Sequence, residues 1–184
     1  MALFTINQFE AVAKTGTFLY KSHNTILTES RTQNKDASTI TVFLSHSHSD
    51  KDLIDDAIAF LRKLNINIYV DWLDETMPEK TSGETAQKIK SKIILSDKFL
   101  LLATNKAVAS KWCNWELGIG DTFKFSKDCL TILPLADNSG HWSGNEYLQI
   151  YPRIEPVPNY DTIFKVIYPD GTYKWLHDWI KKGT

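Results

Sequence analysis

Between residues 39 and 135 the chain runs through four short apolar segments separated by three helical periods, and few folds accommodate that order. Ile40-Thr-Val-Phe-Leu44 is a β-branched run closed by Ser45-His46-Ser47-His48-Ser49-Asp50. Leu53, Ile54, Ala57, Ile58, Phe60, Leu61 and Leu64 follow with helical spacings of three and four. Asn67-Ile-Tyr-Val70 makes a second strand, and a polar loop with Pro78 leads into a helix over Ser82–Ser96 with Ala86, Ile89 and Ile93 on one stripe. Phe99-Leu-Leu-Leu-Ala103 is apolar throughout, as a strand covered on both faces must be. A helix over 110–123 and a fourth strand, Leu130-Thr-Ile-Leu133 closed by Pro134, complete the series. Strands separated by crossovers of a dozen residues or more pair in parallel and connect right-handedly. The expected fold class is therefore α/β, a flavodoxin-like, doubly wound parallel sheet whose functional loops follow Leu44, Val70 and Ala103 at the carboxyl ends of the strands. A chain of 184 residues with so few units is too short for an eight-unit barrel.

Flanking segments are read as extensions: 1–38 a helical N-terminal lead-in, 39–135 the α/β domain, and 136–184 a C-terminal extension packing on it. Thr5 is placed to cap a helix over Ile6–Lys14 that stops at Gly16, and the polar stretch Tyr20–Ser38 reads as a second helix or a linker. Ile163–Tyr168 and Thr172–Trp175 form a hairpin about Asp170-Gly171, and a closing helix is expected over 175–182. Lys and Arg number 21 against 22 Asp and Glu, a balance without the basic footprint that nucleic acid or an anionic membrane requires. No apolar run approaches the roughly 20 residues of a membrane span. The first residues lack the pattern of a secretory signal, and Cys113 and Cys129 lie far apart without CxxC spacing. A cytoplasmic protein is expected.

Several patterns admit two accounts. Ser45-His46-Ser47-His48 invites a metal or nucleophile reading, but no third ligand lies nearby and the GxSxG elbow is absent, so no metal site is expected. Gly118-Ile-Gly120 lies inside a helix rather than at a strand–helix turn, which points to close backbone packing instead of a dinucleotide fingerprint. Trp112 and Trp115 suit core anchors, Trp115 above all. Trp72 either covers the core or stacks on a flat heterocycle. Glu84 completes a capping box with Thr81 on spacing alone. Yet it lies about 180–200° around the helix from Ala86 and Ile93, at the mouth of the sheet, where a helix N-terminus favours an ionised carboxylate able to stabilise a developing cation.

Three segments together resemble the bacterial type of the Toll/interleukin-1 receptor (TIR) domain: Phe43-Leu-Ser-His-Ser47 with Asp50-Lys-Asp-Leu53, Tyr69-Val-Asp-Trp72, and Ser110-Lys-Trp-Cys-Asn-Trp-Glu-Leu117. The resemblance covers roughly residues 39–135. It implies cleavage of NAD+ at the nicotinamide–ribose bond, giving nicotinamide and ADP-ribose or a cyclic ADP-ribose isomer that acts as an immune signal in antiviral defence. It implies a catalytic Glu on the helix after the second-strand loop, here Glu84 with Glu79 as the fallback. The substrate-binding set it implies is Phe43, Ser45, His46, Asp71, Trp72 and Trp112, with NAD+ as substrate and no cofactor or metal. Self-association through TIR surfaces on activation, and a downstream effector that senses the nucleotide product, are the implied partners, with neither nucleic acid nor membrane. The alternatives are a non-enzymatic interaction module that uses the loop Trp72–Thr81 as its contact surface, and a nucleoside-cleaving enzyme acting on other nucleotides.

Overall fold

Alternation along the central strands decides which sheet face each residue covers. The computed structural model describes residues 3–14, 40–62, 67–69, 82–144, 146–158 and 160–181. In chain order these form β1 (Phe4–Thr5), α1 (Ile6–Lys14), β2 (Thr41–Ser45), α2 (Lys51–Arg62), β3 (Asn67–Tyr69), α3 (Gly83–Leu95), β4 (Lys98–Ala103), α4 (Asn105–Ala109), α5 (Lys111–Lys124), β5 (Leu130–Ala136), β6 (Arg153–Val157), β7 (Tyr160–Ile167), β8 (Tyr173–Trp175) and α6 (Leu176–Ile180). Short 3-10 turns lie at His48–Asp50, Phe125–Lys127 and Glu146–Ile150.

The sheet order is β3-β2-β4-β5-β6-β7-β8. Its first five strands are parallel neighbours, and β7 and β8 are added antiparallel. Chain direction reverses about β2, which pairs with β3 on one side and β4 on the other, so β2/β4 is the topological switch point of a doubly wound sheet. Val42, Leu44, Leu100, Leu102, Leu133 and Leu135 share one buried cluster with α1, α2 and α6. Phe43, Phe99, Leu101, Ala103, Leu130 and Ile132 share the other with α3, α4 and α5. Every residue of β4 and β5 is buried, as the unbroken apolar runs predict.

The lead-in joins the sheet itself. β1 pairs in parallel with Leu135 and Ala136 of β5, and Phe9 and Ala13 of α1 enter the first cluster. Thr5 caps α1 as expected: its Oγ1 accepts from the Gln8 amide at 3.3 Å, and Gln8 Oε1 accepts from the Thr5 amide at 3.0 Å. The hairpin about Asp170-Gly171 is present, with Gly171 at φ +86°, a left-handed conformation that suits glycine. The fourth strand does not stop at Pro134; it runs on to Ala136. The Ile132 amide donates toward Pro152, so the missing N–H of Pro134, two residues on, points to the same side, where β6 pairs only at Ile132↔Arg153. No ladder bond is lost there.

Two further expectations are corrected. Trp115 is 39% exposed rather than a core anchor, and packs edge-on against half-buried Trp112 at 5.3 Å between ring centroids. Only one of the paired glycines marks a close approach. A Cβ on Gly120 would meet Phe99 ring carbons at 3.0 Å, whereas one on Gly118 meets nothing within 4 Å.

Candidate active site

At the switch point β2 ends on Ser45, level with Leu101 of β4, and β4 continues two residues farther to Ala103. Ser45 lies on the same face as Phe43, toward α5. Its Oγ donates to Glu116 Oε2 at 2.5 Å, and both residues are buried, Glu116 at 4% exposure. Glu116 belongs to the core-facing stripe of α5 with Cys113, Leu117 and Gly120. Trp112, one turn earlier, shares that face and packs against the second cluster. A carboxylate in an apolar helical stripe is costly unless it is hydrogen-bonded, and a charge-assisted bond to a hydroxyl is among the strongest available.

The turn after β2 is equally constrained. His46 is buried, and its Nδ1 lies 3.1 Å from the Leu44 carbonyl, to which it donates in the tautomer protonated there. Ser47 caps the 3-10 turn that follows, and the Asp50 amide donates back to the Ser47 carbonyl at 2.8 Å. Buried Asp50 accepts from Thr104 Oγ1 at 2.5 Å. Thr104 also caps α4 by accepting from the Ala107 amide at 3.0 Å. On the far side of β4 the loop after β5 folds back over its carboxyl end: Trp142 Nε1 donates to the Ala103 carbonyl at 2.6 Å, and Asn105 Oδ1 accepts from the Ser143 amide at 2.7 Å. Among the described residues, no group of three or more His, Cys, Asp or Glu side chains is placed to hold a metal ion.

The profile of the TIR domain family matches residues 42–149. The chain belongs to the TIR domain family. Over 164 residues it is 28% identical to a protein of Bacillus cereus (strain MSX-D12) named "Probable 3′ cyclic ADP-D-ribose synthase ThsB′", covering 84% of this chain and 83% of that one. Over 79 residues it is 33% identical to a Cytobacillus dafuensis protein named "Putative cyclic ADP-D-ribose synthase TIR2". That second match spans 41% of this chain and 21% of the relative.

Within the TIR domain the expected substrate-binding residues and the fallback Glu79 separate into three groups, with Glu84 apart from them. Ser45, His46 and Trp112 lie at or beside the carboxyl end of β2. Phe43 is one strand layer deeper, buried and stacked on Phe99 with centroids 5.7 Å apart and planes at 11°. Asp71, Trp72, Glu79, Thr81 and most of the polar loop lie outside the described residues.

Glu84 is the second residue of α3, but it is not part of its cap. Ser82 and Thr85 form the reciprocal box instead: the Thr85 amide donates to Ser82 Oγ at 3.4 Å, and the Ser82 amide to Thr85 Oγ1 at 3.1 Å. Thr85, Ile89 and Ile93 are buried, so Glu84 faces outward as its helical angle requires. Its side chain is 66% exposed and pairs with Lys88 at 3.1 Å, an i,i+4 contact of modest energy. The far end of α3 is fixed to α5: Lys124 Nζ donates to the carbonyls of Ile94 and Ser96, and burial pushes this ammonium below the ordinary lysine value. Lys124 thus closes the carboxyl end of α3, where a cation complements the unpaired carbonyls.

Glu116 went unassigned in the sequence reading. The available signal was its place between Cys113 and Leu117 in an otherwise apolar stripe, one turn after Trp112.

Proposed function

We propose that this chain cleaves NAD+ at the nicotinamide–ribose bond and releases a cyclic ADP-ribose product, acting in the cytoplasm as a signal-producing enzyme of antiviral defence. The reaction class draws support from family membership and from two relatives named as cyclic ADP-D-ribose synthases. The single structural observation that carries the reading is the carboxylate of Glu84, exposed and outward-facing on the first turn of α3, the helix that follows β3 of a doubly wound sheet.

The chemistry asks little of the protein. The C1′–N bond breaks with its electron pair going to the ring, so nicotinamide departs neutral from a cationic pyridinium and no general acid is needed. Positive charge develops on the ribose as in glycoside cleavage. A carboxylate presented to the ribose can orient its hydroxyls and stabilise that charge. Glu84, outward-facing on the first turn of α3, is the residue assigned this role, while buried Glu116 holds Ser45 in place. Trp112, on the same face of α5, supplies an aromatic wall, and His46 and Ser45 supply polar contacts beneath it. Product outcome depends on which nucleophile reaches the ribose carbon first, water or a group of the same molecule. NAD+ is the substrate and no cofactor takes part. Self-association on activation and an effector that reads the product complete the proposed pathway.

Nicotinamide release from NAD+, followed across a protein concentration series and resolved by product chromatography with mass spectrometry, tests the assignment. Glu84→Gln is expected to lower turnover by about 10²–10⁴-fold, the usual span for a key catalytic side chain. Undiminished turnover in Glu84→Gln removes that residue from the mechanism. No release from wild type at any concentration refutes the enzymatic reading.

A further inference from the structure

The crevice between β2 and β4 is bridged by a hydrogen-bonded strap, and the geometry points to Asp50 and Thr104 as positioning residues that fix the Ser45–His46 turn for the reaction proposed above. Asp50 ends the turn after β2, and Thr104 is the first residue beyond β4. They are 54 positions apart in the chain, yet Thr104 Oγ1 donates to Asp50 Oδ2 at 2.5 Å, with both residues buried, Asp50 at 5% exposure. Asp50 Oδ1 is approached by Lys106 Nζ at 3.4 Å, and the same ammonium donates to the Ser49 carbonyl at 2.8 Å. The Asp50 amide meanwhile closes on the Ser47 carbonyl. Each end of the turn is therefore anchored: Ser45 in the β2/β4 ladder, Ser49 and Asp50 on α4.

Thr104 is the hinge pin of this strap. One hydroxyl accepts from the Ala107 amide and donates to Asp50, so the start of α4 and the turn after β2 share a single oxygen. Cutting the strap leaves Ser45 attached to its ladder but holds the segment from His46 to Ser49 only through its own bonds and the exposed Lys106. Ser45 is the immediate neighbour of that segment and holds Glu116. A small displacement of such a support, remote from the reacting bond, lowers the rate of bond breaking more than it weakens substrate binding. Asp50 and Thr104 touch neither Ser45 Oγ nor Glu116 in any hydrogen bond of the described residues, so their effect passes through the turn.

Because the activity arm rests on NAD+ cleavage, the test has a second arm that does not. Thr104→Val removes the donated bond while keeping the shape, and Thr104→Ser restores the hydroxyl. Amide hydrogen exchange over residues 45–48 is expected to quicken by about tenfold or more in Thr104→Val relative to residues 99–102 of β4, and to return toward wild type in Thr104→Ser. In the NAD+ assay kcat is expected to fall by about 10- to 100-fold in Thr104→Val with KM changed less than about threefold, and the Ser variant to recover most of it. Exchange at 45–48 that rises no more than at 99–102 overturns the strap as a fixing device. Quickened exchange with unchanged kcat overturns its role in the reaction. An inactive wild type refutes the proposed function instead, while the exchange arm still decides whether the strap holds the turn.

Discussion

Gly118 and Gly120 lie two residues apart on α5 and should respond in opposite ways to the same substitution. Alanine is worth about 1 kcal/mol over glycine inside a helix. At Gly118 nothing stands within 4 Å of the added methyl, so Gly118→Ala is expected to gain close to that full amount. At Gly120 the methyl would sit 3.0 Å from Phe99 Cγ and Cδ2 and 3.2 Å from Leu130 Cδ1, against an ordinary carbon–carbon contact of about 3.5–4.0 Å. Phe99 has little room to retreat, since its ring is buried and stacked on Phe43. Overpacking of this kind costs about 1–3 kcal/mol. Setting the helix gain against it leaves Gly120→Ala between neutral and about 2 kcal/mol destabilised, so the two variants should differ by about 1–3 kcal/mol. At about 2–4 °C per kcal/mol for a chain of this size, thermal unfolding should raise Tm for Gly118→Ala and lower or hold it for Gly120→Ala. The second variant also presses α5 away from the sheet one turn below Glu116, so its NAD+ turnover should fall more than its loss of folded protein explains. If Gly120→Ala proves as stabilising as Gly118→Ala, the close approach of α5 to Phe99 is refuted, together with the account of how Glu116 is held.

Two further outcomes follow from charged groups away from the site. Burial holds the Asp56 carboxyl above its ordinary value near 3.8; the Lys14 ammonium at 3.6 Å opposes this, and Glu10 and Asp55 add to it. The folded chain thus binds this proton more tightly than the unfolded one, and Asp56's contribution to stability declines as pH rises from about 3.8 through the folded-state pKa. Asp56→Asn, which mimics the neutral form, should be more stable than wild type at pH 7 with a flatter Tm profile in acid, and a lower Tm at pH 7 would contradict this. Asp128, in the left-handed conformation at φ +54°, accepts from Tyr168 Oη at 2.8 Å, Lys174 Nζ at 2.6 Å and Trp179 Nε1 at 3.2 Å. Asp128→Ala should cost about 1–3 kcal/mol, because the buried Trp179 indole and the half-buried Tyr168 hydroxyl lose their acceptor, and Asp128→Asn less than half of that. Urea unfolding measures both. Turnover per folded molecule should not change, since Asp128 precedes β5 at the end of the sheet opposite the switch point.

Legibility in the sequence tracked periodicity. α2 and α3 were readable because their apolar residues recur at helical spacing, and β2 and β4 because each is a short apolar run bounded by polar residues. β1, with two residues, and α4, with five, are too short to show any period; both are defined by partners far along the chain, Leu135–Ala136 and Asp50. β6 carries Pro156 and is preceded by Pro152, breakers that mask its strand character although it pairs with the adjacent β7. Trp115 was misjudged because a helical aromatic was assumed to face inward, although Cys113, Glu116 and Leu117 already occupy that face. The same oversight hid Glu116. Glu116 stands in the apolar stripe of α5 between Cys113 and Leu117, a visible anomaly, but its hydroxyl partner Ser45 lies 71 positions away and only the fold joins them.

The antiparallel ribbon β6-β7-β8 bears on how copies of this chain can meet. A parallel sheet left open at β6 would present a long backbone template, the kind of edge that invites unlimited growth by strand addition. Here the outermost strand is three residues long and carries a lysine, Lys174, at its centre, two features that blunt an edge. On this flank, growth by strand addition is thereby disfavoured.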